Sequence, residues 1–323
     1  MNRFEKERWN SMWSPCASCN TTIPLIAQGT LVTTFKEYPY TSFEELDALL
    51  THAEGTVYCV DPSSNRQTPP LEVEALKDQL AHRHIIEQIQ HGTFESHLQP
   101  IIFLDSTETF GYEALLRSET NISPFDLFRT ANRFGLHSKL DQRARAEAIK
   151  ATYEAVAPHQ KTFINFLPST IYNPDYCLQH TFDIIDRYGL SPDRFIFEVV
   201  ETEKVHDVDH LQHVFSTYKK RGMQVALDDV GAGFSTIDML KRLEPDYVKI
   251  DRSYVSFCDE DAEKRDFLKK VRALTHSMGI TLLAEGVERI EEADVCRELG
   301  FDLAQGYFFG KPAPVKEHAI KTA

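Results

Sequence analysis

The sequence predicts an α/β protein: a (β/α)8 TIM-like barrel with an antiparallel first strand, preceded by a small α+β N-terminal domain. Three observations predict it. Eight short apolar runs recur between residues 100 and 304, helical stretches separate most of them, and the segment SSNRQTPP at residues 63–70 interrupts the chain before they begin. Paired prolines among small polar residues cannot continue a helix or a central strand. Residues 1–78 are therefore expected as one domain and residues 79–323 as the barrel.

In the N-terminal part, residues 30–35 and 56–60 read as strands and residues 42–50 as a capped helix. Residues 71–89 follow with a mostly helical pattern, apolar at Leu76, Leu80, Ile85, Ile86 and Ile89. The barrel strands are expected at residues 100–104, 110–116, 162–166, 195–200, 224–227, 247–250, 280–284 and 301–304. Helices are expected at 139–157, 208–221, 262–278 and 290–299. Such alternation over about 240 residues fits a closed barrel better than a doubly wound sheet. Only residues 105–109 separate the first two strands, too few for a parallel crossover, so that pair is expected to be antiparallel.

Hydrophobic residues make up 42% and charged residues 26%, ordinary globular usage that excludes wholesale disorder and collagen-like or mucin-like chains. Acidic residues outnumber basic ones by 49 to 35, a formal charge of −14, so a broad grip on DNA is not expected and an anionic ligand would need locally placed cations. No apolar run reaches the roughly 18–20 residues of a bilayer span, and the first residues are too polar for a leader. A soluble, cytoplasmic protein is the expectation.

The six cysteines are too scattered for a disulfide framework. Cys16 and Cys19 alone are spaced as a pair: half of a zinc site, completed by Cys59, His52 or a second subunit, or two ordinary cysteines of a small domain. Trp9 and Trp13 share a helix face and read as packing. His206, His210 and His213 read as a solvated helix face, and Asp259, Glu260, Asp261 and Glu263 as an acidic helix start.

Barrel chemistry sits at the C-terminal ends of the strands. A polar residue stands at nearly every one of them: Glu113, Asn165, Glu198, Asp228 with Asp229, Lys249, Glu285 and Gln305. Any one charge beside an apolar strand is more often a cap or a solvated edge. Seven consecutive strands are harder to explain that way. Five converging carboxylates would repel unless protonated or neutralised, and with an amide they suit magnesium or manganese. No histidine stands at these positions, which argues against a zinc hydrolase. Adjacent Asp228 and Asp229 fit a two-metal site of the kind used for in-line displacement at phosphorus. Two other barrel chemistries stay open on the residues alone: Lys249 as an enolising base, or as a Schiff-base amine.

The motifs resemble one family, the EAL-domain cyclic di-GMP phosphodiesterases. Glu113-Ala114-Leu115 stands inside YEALLR, with Gln99-Pro100-Ile101, Asn165, FEVVETE at 197–203, LDDVGAGFST at 227–236, VKIDRSYV at 248–255, AEGVE at 284–288 and AQGYFFGKP at 304–312. They run in family order over about residues 82–315. The resemblance implies a barrel with an antiparallel first strand and hydrolysis of cyclic di-GMP to linear pGpG, with water attacking phosphorus in line and the 3′ oxygen leaving. It implies Glu113, Asn165, Glu198 and Asp228 as ligands of one magnesium or manganese ion, and Asp228, Asp229 and Glu285 as ligands of a second. Lys249, with Glu113, Glu285 and Gln305, would be catalytic, Lys249 orienting water or stabilising charge at phosphorus. Glu288 would support the site, Arg117 would contact phosphate and Gln99 a guanine edge.

Glu201 would partner the loop 229–236, whose Gly231 and Gly233 give it backbone freedom, and the loop would communicate across a homodimer interface of the barrel. Departures from the family pattern are Ser118 after the arginine, Val230 where phenylalanine is common, and His97-Leu98 before Gln99. The alternative function is a catalytically silent receptor of the same fold that binds cyclic di-GMP or a protein.

Overall fold

A computed structural model describes residues 24–199, 207–230 and 237–318. They divide into two compact units, one of residues up to 93 with 118–140, the other of residues 94–117 with those from 141 onward.

The first unit carries a small antiparallel sheet of β1 (Gly29–Val32), β2 (Glu37–Tyr40), β3 (Thr56–Asp61) and β4 (Arg66–Gln67) in the order β2-β1-β3-β4, with β5 (Leu71–Glu72) also on β3. Alternation sets its inner face: Leu31, Val57 and Cys59 are buried, against Leu46 and Leu50 of the helix Phe43–Leu50. That helix begins where expected, because the Ser42 side chain accepts from the Glu45 N–H and satisfies a donor the first turn leaves open. The helical pattern of residues 71–89 resolves into a short strand and two helices, Val73–Ala81 and Arg83–His91, broken at His82. The apolar spacing continues across His82, so periodicity alone could not register the break.

The second unit contains eight strands closed into a barrel: β6 (Phe94–Phe103), β7 (Thr109–Ser118), β8 (Lys161–Phe166), β9 (Phe195–Val199), β10 (Gln224–Val230), β11 (Tyr247–Ile250), β12 (Thr281–Ala284) and β13 (Leu303–Gln305). Each pairs with the next in sequence, and β13 closes onto β6. The steps from β7 to β13 are parallel while β6 meets β13 antiparallel, so the reversed first strand is present as expected. Phe103 N–H donates to Glu108 O at 2.9 Å across the short β6–β7 turn.

Strand β6 extends well before Pro100, where the sequence pattern placed its start. On one side it pairs with β14 (Ala313–Pro314) as far as Leu98 and with β13 from Ile101, so Pro100 falls between partners, where that edge needs no donor. Helices Val208–Lys220, Ala262–Ser277 and Ile290–Glu298 lie within a residue of expectation. Asp261 caps the second of these, as the acidic helix start requires, while Asp259 and Glu260 pair with Arg289. His213 is exposed on its helix, 3.5 Å from Asp175. No helix among the described residues is long and apolar enough to cross a membrane. Cys16, Cys19, Trp9, Trp13, Glu201, His206, Gly231 and Gly233 lie outside the described residues.

Candidate active site

Alternation along the strands builds the site. Ile101, Phe163, Ile196, Ala226, Tyr247, Leu283 and Leu303 form one buried apolar cluster inside the barrel. Two residues further on the same strands, hence on the same face, come Asn165, Glu198, Asp228, Lys249, Glu285 and Gln305. On the reversed β6 the step runs backward, from Ile101 to Gln99. On β7 the residue two before Glu113 is Gly111, where a Cβ would press to 2.2 Å from Lys161 O. Glycine at that position is a packing requirement.

Lys249 is the centre of the cluster. Its side chain is 1% exposed, and Nζ lies 2.7 Å from Glu285, 2.9 Å from Glu198, 3.2 Å from Asp228 and 3.8 Å from Glu113. Burial works against its charge, but Asp228, Glu113, Glu198 and Glu285 outweigh that and hold the ammonium well above its ordinary pKa. An amine held protonated in this way is a poor base and a poor Schiff-base nucleophile, so the geometry disfavours both alternative uses of Lys249.

Glu113 is fixed at both oxygens: Asn165 Nδ2 donates to Oε1 at 2.9 Å and Gln305 Nε2 to Oε2 at 2.7 Å. Burial would raise its carboxyl, but Lys249 and these two donors hold it below the usual range. Glu198 is different. It is fully buried, its contact with Lys249 is an ion pair off the hydrogen-bonding direction, and neither carboxylate oxygen has an aligned donor among the described residues. Burial, with repulsion from Glu113 and Asp228, pushes its carboxyl well above the ordinary value. Glu285 is raised too, by burial and then by Asp228.

The adjacent aspartates reach the mouth together through a break in the ladder. Leu227 is level with Val248 and Val230 with Ile250, so β10 has one extra residue against β11. Asp229 sits in this bulge at φ +53°, a left-handed conformation that aspartate tolerates, and its N–H donates to Asp228 Oδ1 at 2.9 Å. Asp228, Asp229 and Glu285 each bring one carboxylate oxygen within 4.8 Å of the others. Hard oxygen donors, the undonated Glu198 carboxylate and one ammonium facing four carboxylates fit divalent cations.

A cleft of about 240 Å³ opens over the cluster, lined by Gln99, Glu113, Glu285, Glu288 and Gln305 and also by Asp251, Arg252 and Tyr307. Sequence reading assigned no role to the last three. Asp251 was within reach, since it shares the inward parity of Lys249 two residues earlier. Arg252 pairs with Glu288 at 2.9 Å, and its side chain fills the space where a Cβ on Gly286 would stand, 2.4 Å away. Gly286 also takes φ +66°, so glycine is required there twice over.

Gln99 is engaged at both ends, accepting from Gln305 Nε2 at 3.0 Å and donating to Gly310 O at 3.2 Å. Arg117 shares the parity of Glu113 further along β7 and donates to Leu116 O at 2.8 Å; it has no ion pair with the cluster. Behind β8, the buried pair Asp141–Arg145 holds the turn that follows Asn165: Asp141 accepts from Leu167 N–H at 3.0 Å and Thr170 Oγ1 at 2.9 Å.

The chain is similar in sequence and in fold to known proteins. Cyclic di-GMP phosphodiesterase PdeF of Escherichia coli is 26% identical over 278 residues, covering 84% of this chain and 37% of its own length. Cyclic di-GMP phosphodiesterase RocR of Pseudomonas aeruginosa is 26% identical over 281 residues, covering 84% and 68%. The crystal structure of a standalone versatile EAL protein from Vibrio cholerae O395, in a cyclic di-GMP-bound form, matches with TM-score 0.64 at 32% identity, over 70% of this chain and 94% of that one. The Klebsiella pneumoniae BlrP1 manganese/cyclic di-GMP complex at pH 6 matches with TM-score 0.65 at 27% identity, over 75% and 67%. The chain spans about a third of the length of several curated relatives it matches. The EAL domain model covers residues 82–312, all eight barrel strands included, and on that match the chain belongs to the EAL domain family.

Proposed function

We propose that this chain hydrolyses one phosphodiester bond of cyclic di-GMP to give linear pGpG. The observation that carries this reading is the convergence of the Asp228, Asp229 and Glu285 carboxylates beside Lys249 at the barrel mouth. Relatives named cyclic di-GMP phosphodiesterases support it, as does the manganese in a matching structure. Two divalent cations, magnesium or manganese, would supply Lewis acidity and a water activated near neutral pH. Glu113, Asn165, Glu198 and Asp228 would hold one, and Asp228, Asp229 and Glu285 the other.

The chain's own residues then have separate tasks. Lys249 keeps a positive charge beside the place where negative charge develops on the phosphoryl oxygens. Asn165 and Gln305 fix the two Glu113 oxygens, so that carboxylate needs no reorganisation during the reaction. Glu288, tied to Arg252, walls the cleft. Arg117 offers paired guanidinium donors to a phosphate, and Gln99 meets a guanine edge by exchanging its bond to Gly310 O. Glu201, Gly231 and Gly233 are assigned to the loop after β10, and residues 1–78 to regulation or to assembly of a cytoplasmic homodimer.

The test is incubation of the full chain with cyclic di-GMP and manganese or magnesium, with the nucleotides resolved by chromatography. Expected are pGpG, its loss on chelation, and no turnover in Glu113→Ala at an unchanged circular dichroism spectrum. Tight nucleotide binding with no pGpG under either metal would replace this reading with that of a silent receptor.

A further inference from the structure

In the N-terminal unit a cavity of about 480 Å³ lies beside the helix Arg83–His91, a volume within the range of small-molecule sites. Arg83, Ile86, Glu87 and Gln90 line it, at the i, i+3, i+4 and i+7 spacing that places side chains on one helix face. Leu25 and Phe43 join Ile86 as an apolar wall, and the exposed Arg66 brings a second guanidinium from β4. Two guanidiniums and one carboxylate, Glu87, line this cavity, in a chain whose net charge is −14.

The polar groups are incompletely used. Arg83 gives one donor to Leu80 O at 3.2 Å and one, in an exposed pair, to Glu44 at 3.4 Å, while its guanidinium carbon lies 5.5 Å from the Phe43 ring centroid. Among the described residues most of its five N–H donors remain unused. Gln90 is only 8% exposed, yet its Nε2 has no hydrogen-bond partner among the described residues. A buried donor left unmade is costly, and an acceptor entering the cavity would remove that cost.

We propose that this cavity is a binding site for a small organic anion with an apolar, aromatic body. The body packs on Leu25, Phe43 and Ile86, the oxyanion meets Arg66 and Arg83, and Gln90 Nε2 donates to an acceptor oxygen. The site uses no barrel residue, so it stands apart from the proposed phosphodiesterase reaction.

The test uses 6-fluoro-2-naphthoate as probe, titrated into the full chain and followed by fluorine NMR line broadening. Expected is saturable binding of one probe per chain, weakened about tenfold or more by Arg83→Gln, as for loss of a charge-assisted bond. The uncharged alcohol (6-fluoronaphthalen-2-yl)methanol should bind similarly weakly, and Gln90→Leu should weaken the naphthoate without lowering the melting temperature. If Arg83→Gln fails to fold, Arg66→Gln, in an exposed two-residue strand, makes the same charge test. No saturable binding, equal affinity for acid and alcohol, or an affinity unchanged in both arginine variants would overturn the proposal.

Discussion

The inside of the barrel holds two layers built by one rule and filled with opposite chemistry. The lower is an apolar cluster that includes Phe163, Ile196, Tyr247 and Leu283; the upper, two residues further along the same strands, is Asn165, Glu198, Lys249 and Glu285. Backbone geometry treats the layers alike, since both face inward at a spacing of two. Their energetics differ. Phe163 contributes by leaving water and by edge contacts to Tyr247 at 5.4 Å, and it needs no particular partner to do so. Glu198 loses its hydration on burial and, among the described residues, is offset by Lys249 as its one cationic partner, so the charged layer depends on its members being present together. The apolar layer supplies the rigid floor on which that charged set is held.

Removing the set's one cation should therefore produce the largest effect. In Lys249→Met, cyclic di-GMP turnover is expected to fall by about 10²–10³-fold, as for loss of a preorganised charge at a developing oxyanion. The metal-free protein should also lose about 3–5 kcal/mol in urea unfolding, because a buried carboxylate is left uncompensated. Adding Glu198→Gln should restore most of that stability and none of the turnover. A single variant with wild-type stability would mean that the upper layer does not depend on Lys249. In the lower layer, Phe163→Ala should cost about 3–5 kcal/mol by opening a cavity, with a much smaller change in turnover per folded molecule. Equal damage to turnover from both variants would erase the distinction between floor and site.

The layers were legible in the sequence because the six strands from β8 to β13 write them as an apolar residue, any residue, then a polar one, as in Phe163-Ile164-Asn165 and Ile196-Phe197-Glu198. The reversed first strand was legible too, because a short connection admits only a hairpin. Lys249 as the shared partner of four carboxylates was not, since it needs side chains from five strands placed within ångströms of one another. The bulge that turns Asp228 and Asp229 to the same mouth depends on register with β11, and register is a property of two strands. The same holds for Arg252 beside Gly286 and for Gln90 in the N-terminal cavity: each is an ordinary residue in sequence, made particular by what the fold sets against it.

Acid is the mildest way to separate two buried groups, because the raised carboxyls of Glu198 and Glu285 answer it with the opposite sign to the lowered Glu113 beside them and to His180 outside the barrel. Glu198 and Glu285 have folded values raised above the unfolded one, so the folded metal-free protein holds their protons more tightly and gains stability as pH falls toward about 4.5. His180, on the helix Gln179–Arg187, is lowered from 6.5 to about 4, first by burial and then by Arg145 and Arg187, with Asp183 opposing. Above 6.5 it is neutral in both states and pH has no effect through it. Between 6.5 and about 4 the unfolded chain binds a proton the folded one refuses, so stability falls, by on the order of 3 kcal/mol in full. Comparing His180→Gln with the wild type at each pH cancels the carboxylate contribution, because both proteins carry the same barrel. The variant should gain on the wild type steadily from pH 6.5 to pH 4 in urea melts. Parallel pH profiles would remove His180 from the acid response of this protein.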